Sequence, residues 1–113
     1  MSPITTHILD TSLGQPAAGV SVSLFRVVNH ETTAVGEGVT DQDGRIGNGL
    51  IGQDDYIDGT YRLVFDVHDY FERLNKTSFY PQVTIDFQVV ASQPHYHVPL
   101  LLSPFGYTTY RGS

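Results

Sequence analysis

The chain has 113 residues, a length that suits one core, and we expect residues 1–113 to form a single domain. Six basic and twelve acidic residues give a formal net charge of −6, which argues against a nucleic-acid partner and weakly against an anionic membrane surface. The chain has no cysteine, which excludes disulfides, thiolate metal sites and a cysteine nucleophile.

The first half of the chain predicts strands joined by turns. Residues 4–9 are short and β-prone, and residues 13–19 form a turn-rich connector. Strict alternation over residues 20–27 predicts a half-buried strand. Residues 29–31 resemble a hairpin turn, after which residues 32–39 return as the partner strand.

The second half begins with two loops, residues 40–45 and the glycine-rich stretch 47–59. Three alternating segments then predict strands: 61–67, 83–89 and 96–102. Strands that recur with turns between them and with few helical segments are typical of an all-β fold. We therefore expect an antiparallel β-sandwich.

One helix is predicted, over about two turns. Asp69 is the expected N-cap, and Glu72 follows three residues later as in a capping box. Phe71 and Leu74 would share one face, and the helix would end near Lys76.

The strongest candidates for chemistry lie near the C-terminus. His95 and His97 are two positions apart in an extended segment, so their side chains should project to the same face. Two such imidazoles can bind zinc with a third ligand, act as acid–base catalysts, or simply line a polar edge strand. The spacing alone does not separate these three interpretations.

Three further features carry polar groups that a site could use. His7 should point outward, because Ile4 and Ile8 claim the core face of its strand, and a solvated histidine is the simplest interpretation. Arg45 follows a glycine in a turn, where it could hold a carboxylate or lie in solvent. Residues 110–113 place an aromatic ring, a guanidinium, a hydroxyl and a carboxylate close together.

No targeting signal is evident. The start of the chain lacks a basic region followed by an apolar stretch, so no signal peptide is predicted. No apolar run approaches the roughly 20 residues that a membrane span needs. A cytoplasmic location without a membrane partner is the expectation.

Five segments together resemble a known family. They are THILDT at 6–11, GQPAAG at 14–19, TDQDGR at 40–45, HYHVPLLLSP at 95–104 and YRGS at 110–113. The first three resemble transthyretin-like proteins, and the last two are similar to the 5-hydroxyisourate hydrolase branch of that family. The match runs nearly end to end, and the YRGS terminus is its most specific part.

The resemblance implies a fold and an assembly. The fold would have two four-stranded sheets, with one short helix after the fifth strand. The assembly would be a homotetramer, a dimer of dimers, whose sites are lined by residues from facing subunits. The outward-facing His7 agrees with such an interface.

The resemblance also implies an activity in purine catabolism, the hydrolysis of 5-hydroxyisourate to 2-oxo-4-hydroxy-4-carboxy-5-ureidoimidazoline without a cofactor or metal. The implied catalytic residues are His7, Arg45, His97 and Ser113, and Tyr110, Arg111 and Gly112 join them in substrate binding. His97 rather than His95 takes the family position that faces the channel. Which histidine is the base stays open.

Three alternatives are weighed against this hydrolase. A transthyretin-like carrier would bind a small aromatic ligand in the same channel, but carriers replace the two histidines and the arginine that this chain keeps. A zinc-dependent hydrolase would use His7, His95 and His97 as ligands. An immunoglobulin-like structural module would be a monomer in solution.

Overall fold

A computed structural model describes residues 2–113 and gives eight strands and one α-helix within them. The strands are β1 (Ile4–Asp10), β2 (Gln15–Pro16), β3 (Ser21–Val28), β4 (Glu31–Val39), β5 (Gly59–Asp66), β6 (Val83–Val89), β7 (Tyr96–Ser103) and β8 (Gly106–Thr109). The helix α1 (Val67–Arg73) directly follows β5, and a single 3-10 turn covers Gln53–Asp55. No helix within residues 2–113 is long and apolar enough to cross a bilayer.

The strands form two four-stranded sheets, with the orders β2-β1-β7-β8 and β4-β3-β5-β6. Their facing surfaces enclose the core, to which β5 contributes Tyr61, Leu63 and Phe65, all fully buried. Ile4 and Ile8 of β1 are also fully buried, as their alternation predicted. The predicted sandwich, the two four-stranded sheets and the short helix are therefore confirmed.

One pairing within the sandwich is parallel rather than antiparallel. β1 and β7 lie side by side in the same direction, with Ile4 opposite Tyr96 and Thr5 opposite His97. The other strand pairs are antiparallel. A parallel pair needs a long crossover connection, and here almost the whole chain intervenes.

The hairpin turn between β3 and β4 is confirmed. Asn29 and His30 have φ angles of 52° and 69°, the left-handed pair that a tight two-residue hairpin turn requires. Asparagine tolerates this region better than most residues, which explains its place at the tip.

The predicted start of the helix is wrong by three residues, because Asp66 rather than Asp69 is its N-cap. The Asp66 carboxylate accepts a hydrogen bond from the backbone N–H of Asp69 at 3.4 Å. Val67, the last residue of the strand predicted over 61–67, lies in the first turn of the helix instead and is buried. Asn75, with a φ of 57°, follows the helix and ends it before Lys76.

Candidate functional site

A cleft of about 340 Å³ opens on the outer face of the β1–β7 pair. The alternation of both strands directs one set of side chains into the core and the other set to this face. Residues that line the cleft come from β1, from the loop after β4, from the start of β7 and from the C-terminus: Ile4, Thr5, Thr6, Arg45, Ile46, Gly49, Leu50, His95, His97 and Ser113.

His95 and His97 project to the same side, as predicted, and one hydroxyl connects them. Oγ1 of Thr5 lies 2.8 Å from Nε2 of His95 and 2.8 Å from Nδ1 of His97. The two imidazole rings are 6.3 Å apart between centroids and 20° from parallel. Both rings are half-buried, so they combine restricted motion with access to the cleft.

The surroundings of His97 favour its neutral form. Burial lowers the pKa of His97 below its usual value, and the neighbouring His95, Arg45 and His7 lower it further by like-charge repulsion. A hydrogen bond with the backbone of Thr5 acts in the opposite sense without reversing the shift. A neutral imidazole at neutral pH is able to accept a proton, which a general base must do.

His7 and Arg45 come together through their backbones. The two residues form an isolated antiparallel bridge, and the N–H of Ile8 donates to the carbonyl oxygen of Gly44 at 2.9 Å. His7 faces outward from β1 and is half-buried, whereas Arg45 is exposed. The loop after β4 therefore carries a guanidinium to the edge of the histidine cluster.

Asp41 and Gly44 hold that loop in shape. Oδ1 of Asp41 accepts hydrogen bonds from the backbone N–H groups of Asp43 at 2.9 Å and Arg45 at 3.1 Å. Gly44 has a φ of 75°, and a Cβ at this position would collide with the carbonyl oxygen of Ile8. Only glycine fits here, so this turn fixes the position at which Arg45 pairs with His7.

The C-terminal segment is tied to the sandwich at two points. The N–H of Gly112 donates to the carbonyl oxygen of His97 at 2.8 Å. The guanidinium carbon of Arg111 lies 4.6 Å from the ring centroid of Tyr96, a cation–π contact. These contacts bring Ser113 to the wall of the cleft.

Gly112 lies tightly against the imidazole of His97. A Cβ at Gly112 would lie 2.7 Å from Cδ2 of His97 and 3.2 Å from Cγ of Pro99. A larger residue would therefore push the ring away from Thr5. Glycine at this position lets the tail pass directly over the histidine.

Not all of the predicted site residues meet within one chain. Arg45, His97 and Ser113 line one cleft, and Gly112 touches His97. Tyr110 and Arg111 instead line a separate cavity of about 150 Å³ beside Tyr96 and β6. Tyr110 is 55% exposed, so it is not part of the core of its own chain.

The zinc interpretation needs three converging ligands. Within residues 2–113 of this one chain, no group of three histidine, aspartate or glutamate side chains is arranged to hold a metal ion. His95 and His97 each direct a ring nitrogen at Thr5 instead.

Two residues that shape the site have no role in the sequence-based prediction, Thr5 and Asp41. The turn before Arg45 is predicted, and an aspartate followed three residues later by glycine, as in Asp41 and Gly44, is a recognised turn signal. The role of Thr5 had no local signal, because its partners lie about 90 residues away along the chain.

Comparisons with known proteins agree with this architecture. Residues 4–112 match the HIUase/Transthyretin family. A 5-hydroxyisourate hydrolase of Deinococcus radiodurans is 47% identical, over 97% of this chain and 95% of that protein. The solved 5-hydroxyisourate hydrolase of Klebsiella pneumoniae is 38% identical, with a TM-score of 0.82, over 99% of this chain and 100% of that one.

A sea bream transthyretin solved in complex with thyroxine shares the fold at least as closely. It is 34% identical, with a TM-score of 0.92, over 97% of this chain and 94% of that chain. The backbone alone therefore does not separate an enzyme from a carrier. The side chains of the cleft have to make that distinction.

Proposed function

This chain belongs to the HIUase/transthyretin family, and we propose that it acts as a 5-hydroxyisourate hydrolase in urate degradation. The observation that carries the proposal is the cleft itself, where His97 and Arg45 meet the C-terminal Ser113. The names of its relatives, several of them 5-hydroxyisourate hydrolases at 38–47% identity, support the same activity.

In the proposed reaction, water attacks a ring carbonyl carbon of 5-hydroxyisourate and gives a proton to a histidine. The acyl C–N bond then breaks, its electron pair stays on nitrogen, and that nitrogen takes up a proton. We assign the base to His97, since burial lowers its pKa and keeps it neutral at neutral pH. His7 or a relayed water supplies the proton to the leaving nitrogen.

Arg45 and Ser113 complete the proposed site. The guanidinium of Arg45 would stabilise the oxyanion that develops on the carbonyl oxygen, a role suited to a planar cation with several donors. Ser113 carries a hydroxyl at the wall of the cleft, and that hydroxyl can orient the attacking water. No step in this scheme requires a metal or a cofactor.

We further propose that the working enzyme is a homotetramer. Tyr110 and Arg111 lie outside the cleft of their own chain. A role for them in substrate binding therefore depends on assembly, in which tails and sites of different subunits come together. Sedimentation equilibrium should give four times the chain mass, and a stable monomer would contradict this assembly.

The hydrolase is tested on freshly prepared substrate. 5-Hydroxyisourate is made from urate with urate oxidase, and its ultraviolet absorbance is followed after addition of the purified chain. We expect decay faster than the spontaneous rate, unchanged by a chelator. Decay at the spontaneous rate would contradict the hydrolase and favour a transthyretin-like carrier. Decay that a chelator slows would favour the zinc-dependent hydrolase.

A tail deletion sharpens this test. A chain ending at Thr109 lacks the Gly112 bond to β7 and the Ser113 wall of the cleft. It should keep its circular dichroism spectrum and lose most of its activity. Near-normal rates would show that the tail is not part of the site.

A cytoplasmic location stays a prediction, which cell fractionation would test.

A further inference from the structure

The single hydroxyl between His95 and His97 has a consequence for where their protons lie. Thr5 lies directly opposite His97 across the parallel β1–β7 pair, and its Oγ1 is 2.8 Å from one ring nitrogen of each histidine. The pairing of the two strands holds the backbones of Thr5 and His97 in register. Threonine is β-branched, so its χ1 rotamer is also restricted.

A threonine hydroxyl has one proton to donate and two lone pairs that accept. Thr5 can donate to only one ring, so when both hydrogen bonds are made at least one of the two facing nitrogens must carry hydrogen and donate to Thr5. If the Thr5 proton goes to the other ring, the nitrogen that receives it must be bare. The tautomers of His95 and His97 are therefore coupled, because the two facing nitrogens cannot both be bare.

We propose that Thr5 and His95 are positioning residues that hold His97 as its Nδ1–H tautomer. The chain of donors would run from Nδ1–H of His97 to Oγ1 of Thr5, and from the Thr5 hydroxyl to Nε2 of His95. This direction rests on the proposed function, because a base needs one bare nitrogen and Nδ1 of His97 is already committed to Thr5. Nε2 is then the nitrogen that takes the proton from water.

The same arrangement supports the charged intermediate. Once Nε2 of His97 accepts a proton, Nδ1–H still donates to Thr5, and Thr5 still donates to His95. No ring has to rotate and no hydrogen bond has to reverse during the step. Preorganisation of this kind removes a reorganisation cost from the reaction.

The tautomer is measured directly, without substrate. Long-range ¹H–¹⁵N correlation spectra of the ¹⁵N-labelled protein distinguish a protonated ring nitrogen from a bare one, and a His97→Gln spectrum assigns the His97 signals. We expect the wild-type protein to show His97 as the Nδ1–H form. Thr5→Val, which keeps the shape but removes the hydroxyl, should give a mixture of tautomers, and Thr5→Ser should restore the single form.

Thr6→Val is the matched control for the tautomer, since Thr6 is the next residue of the same strand and is buried, although it also borders the cleft. Its hydroxyl donates to the carbonyl oxygen of Val98 at 2.7 Å and contacts neither histidine. This variant should lose a hydrogen bond of similar length and keep the His97 tautomer. A change in Thr6→Val equal to that in Thr5→Val would show a general loosening of β1 and overturn the proposal.

Kinetics provide the second readout. Thr5→Val should lower kcat about three- to tenfold, the size expected for one neutral hydrogen bond, with KM nearly unchanged and with recovery in Thr5→Ser. A wild-type His97 in the Nε2–H form, or a Thr5→Val protein with unchanged tautomer and unchanged kcat, would overturn the inference. Wild-type protein with the Nδ1–H form but no hydrolysis would instead count against the proposed function alone.

Discussion

The two ends of β1 carry polar networks that differ in how completely they are satisfied. Toward the end of the strand, Asp10 is fully buried, and its carboxylate accepts bonds from the hydroxyl of Tyr70 at 2.7 Å and from the backbone of Ser12 at 3.0 Å. Near the start, Thr5 links two histidines that are only half-buried and that border an open cleft.

The difference shows how one strand can serve both stability and chemistry. A buried polar network whose donors and acceptors are all paired stabilises the fold. Removing one partner leaves a buried polar group with neither a protein partner nor water, which costs free energy. A network that leaves one ring nitrogen without a protein partner, facing a cleft, keeps that nitrogen available to contact a substrate. We therefore expect substitutions at the Asp10 end to change stability and substitutions at the Thr5 end to change activity.

The largest expected effect is on activity. His97→Gln should lower kcat/KM by about 10²- to 10⁴-fold, the usual contribution of a general base, with little change in the free energy of unfolding. His68→Gln, at an exposed histidine on α1, is the matched control and should retain full activity. Parallel urea denaturation would separate the two roles, and a large loss of stability in His97→Gln would make this residue structural.

The next effect is on stability. Tyr70→Phe removes the hydroxyl that donates to Asp10 and should lower the free energy of unfolding by about 1–3 kcal/mol, because a buried carboxylate loses a partner. The midpoint of urea denaturation measures it, and kcat should not change. Tyr107→Phe, at a ring that is 40% exposed, should leave the midpoint where it was. A Tyr70→Phe protein with reduced kcat and normal stability would contradict the assignment of the Asp10 end of β1 to stability.

A smaller effect is expected at the tail. Gly112→Ala should displace the His97 imidazole, which a Cβ would approach to 2.7 Å, and should lower kcat roughly tenfold, about the value of one hydrogen-bonded contact. Stability should hold, because Gly112 packs on the outer face of β7 rather than in the core. A crystal structure of the variant would reveal the ring shift. Unchanged kcat with an unmoved ring would show that the C-terminal segment, and not the His97 imidazole, shifts to accommodate the added Cβ.

The last prediction concerns the pH dependence of stability. Burial by itself would raise the pKa of Asp10, but hydrogen bonds from Ser12, Tyr70 and Leu13 hold that pKa below its ordinary value. A carboxyl with a lowered folded pKa stabilises the protein fully above its unfolded pKa and loses that contribution as the pH falls through the folded one. Acid unfolding should therefore be less steep in Asp10→Asn. An identical acid slope would mean that other carboxyls dominate.

Local patterns carried much of the fold. The strand predicted at 83–89 has the observed bounds, and the one predicted at 96–102 is short by a single residue. Both depend on alternation, which the sequence displays directly. The helix start was wrong because two aspartates, at 66 and 69, offer similar caps, and the burial of Val67 decides between them.

The site depends on relations that no local pattern contains. His7, Arg45 and His97 were named from residue type and resemblance. Arg45 reaches β1 through its backbone bridge to His7, whereas His97 reaches β1 through the parallel pairing of two distant parts of the chain. Thr5 was missed for the same reason. The placement of Tyr110 and Arg111 away from the cleft follows from the cation–π contact with Tyr96, which only the folded chain creates.

The parallel pairing of β1 with β7 also sets when this protein becomes functional. Thr5 and His97 are about 90 residues apart, so their pairing must close a very long loop, and folds dominated by such contacts form slowly. During synthesis β1 leaves the ribosome long before β7 exists. A chain interrupted anywhere before residue 95 has neither the centre of this sheet nor a histidine pair. The histidine pair and the strand that carries it therefore join β1 only after the intervening chain has been made.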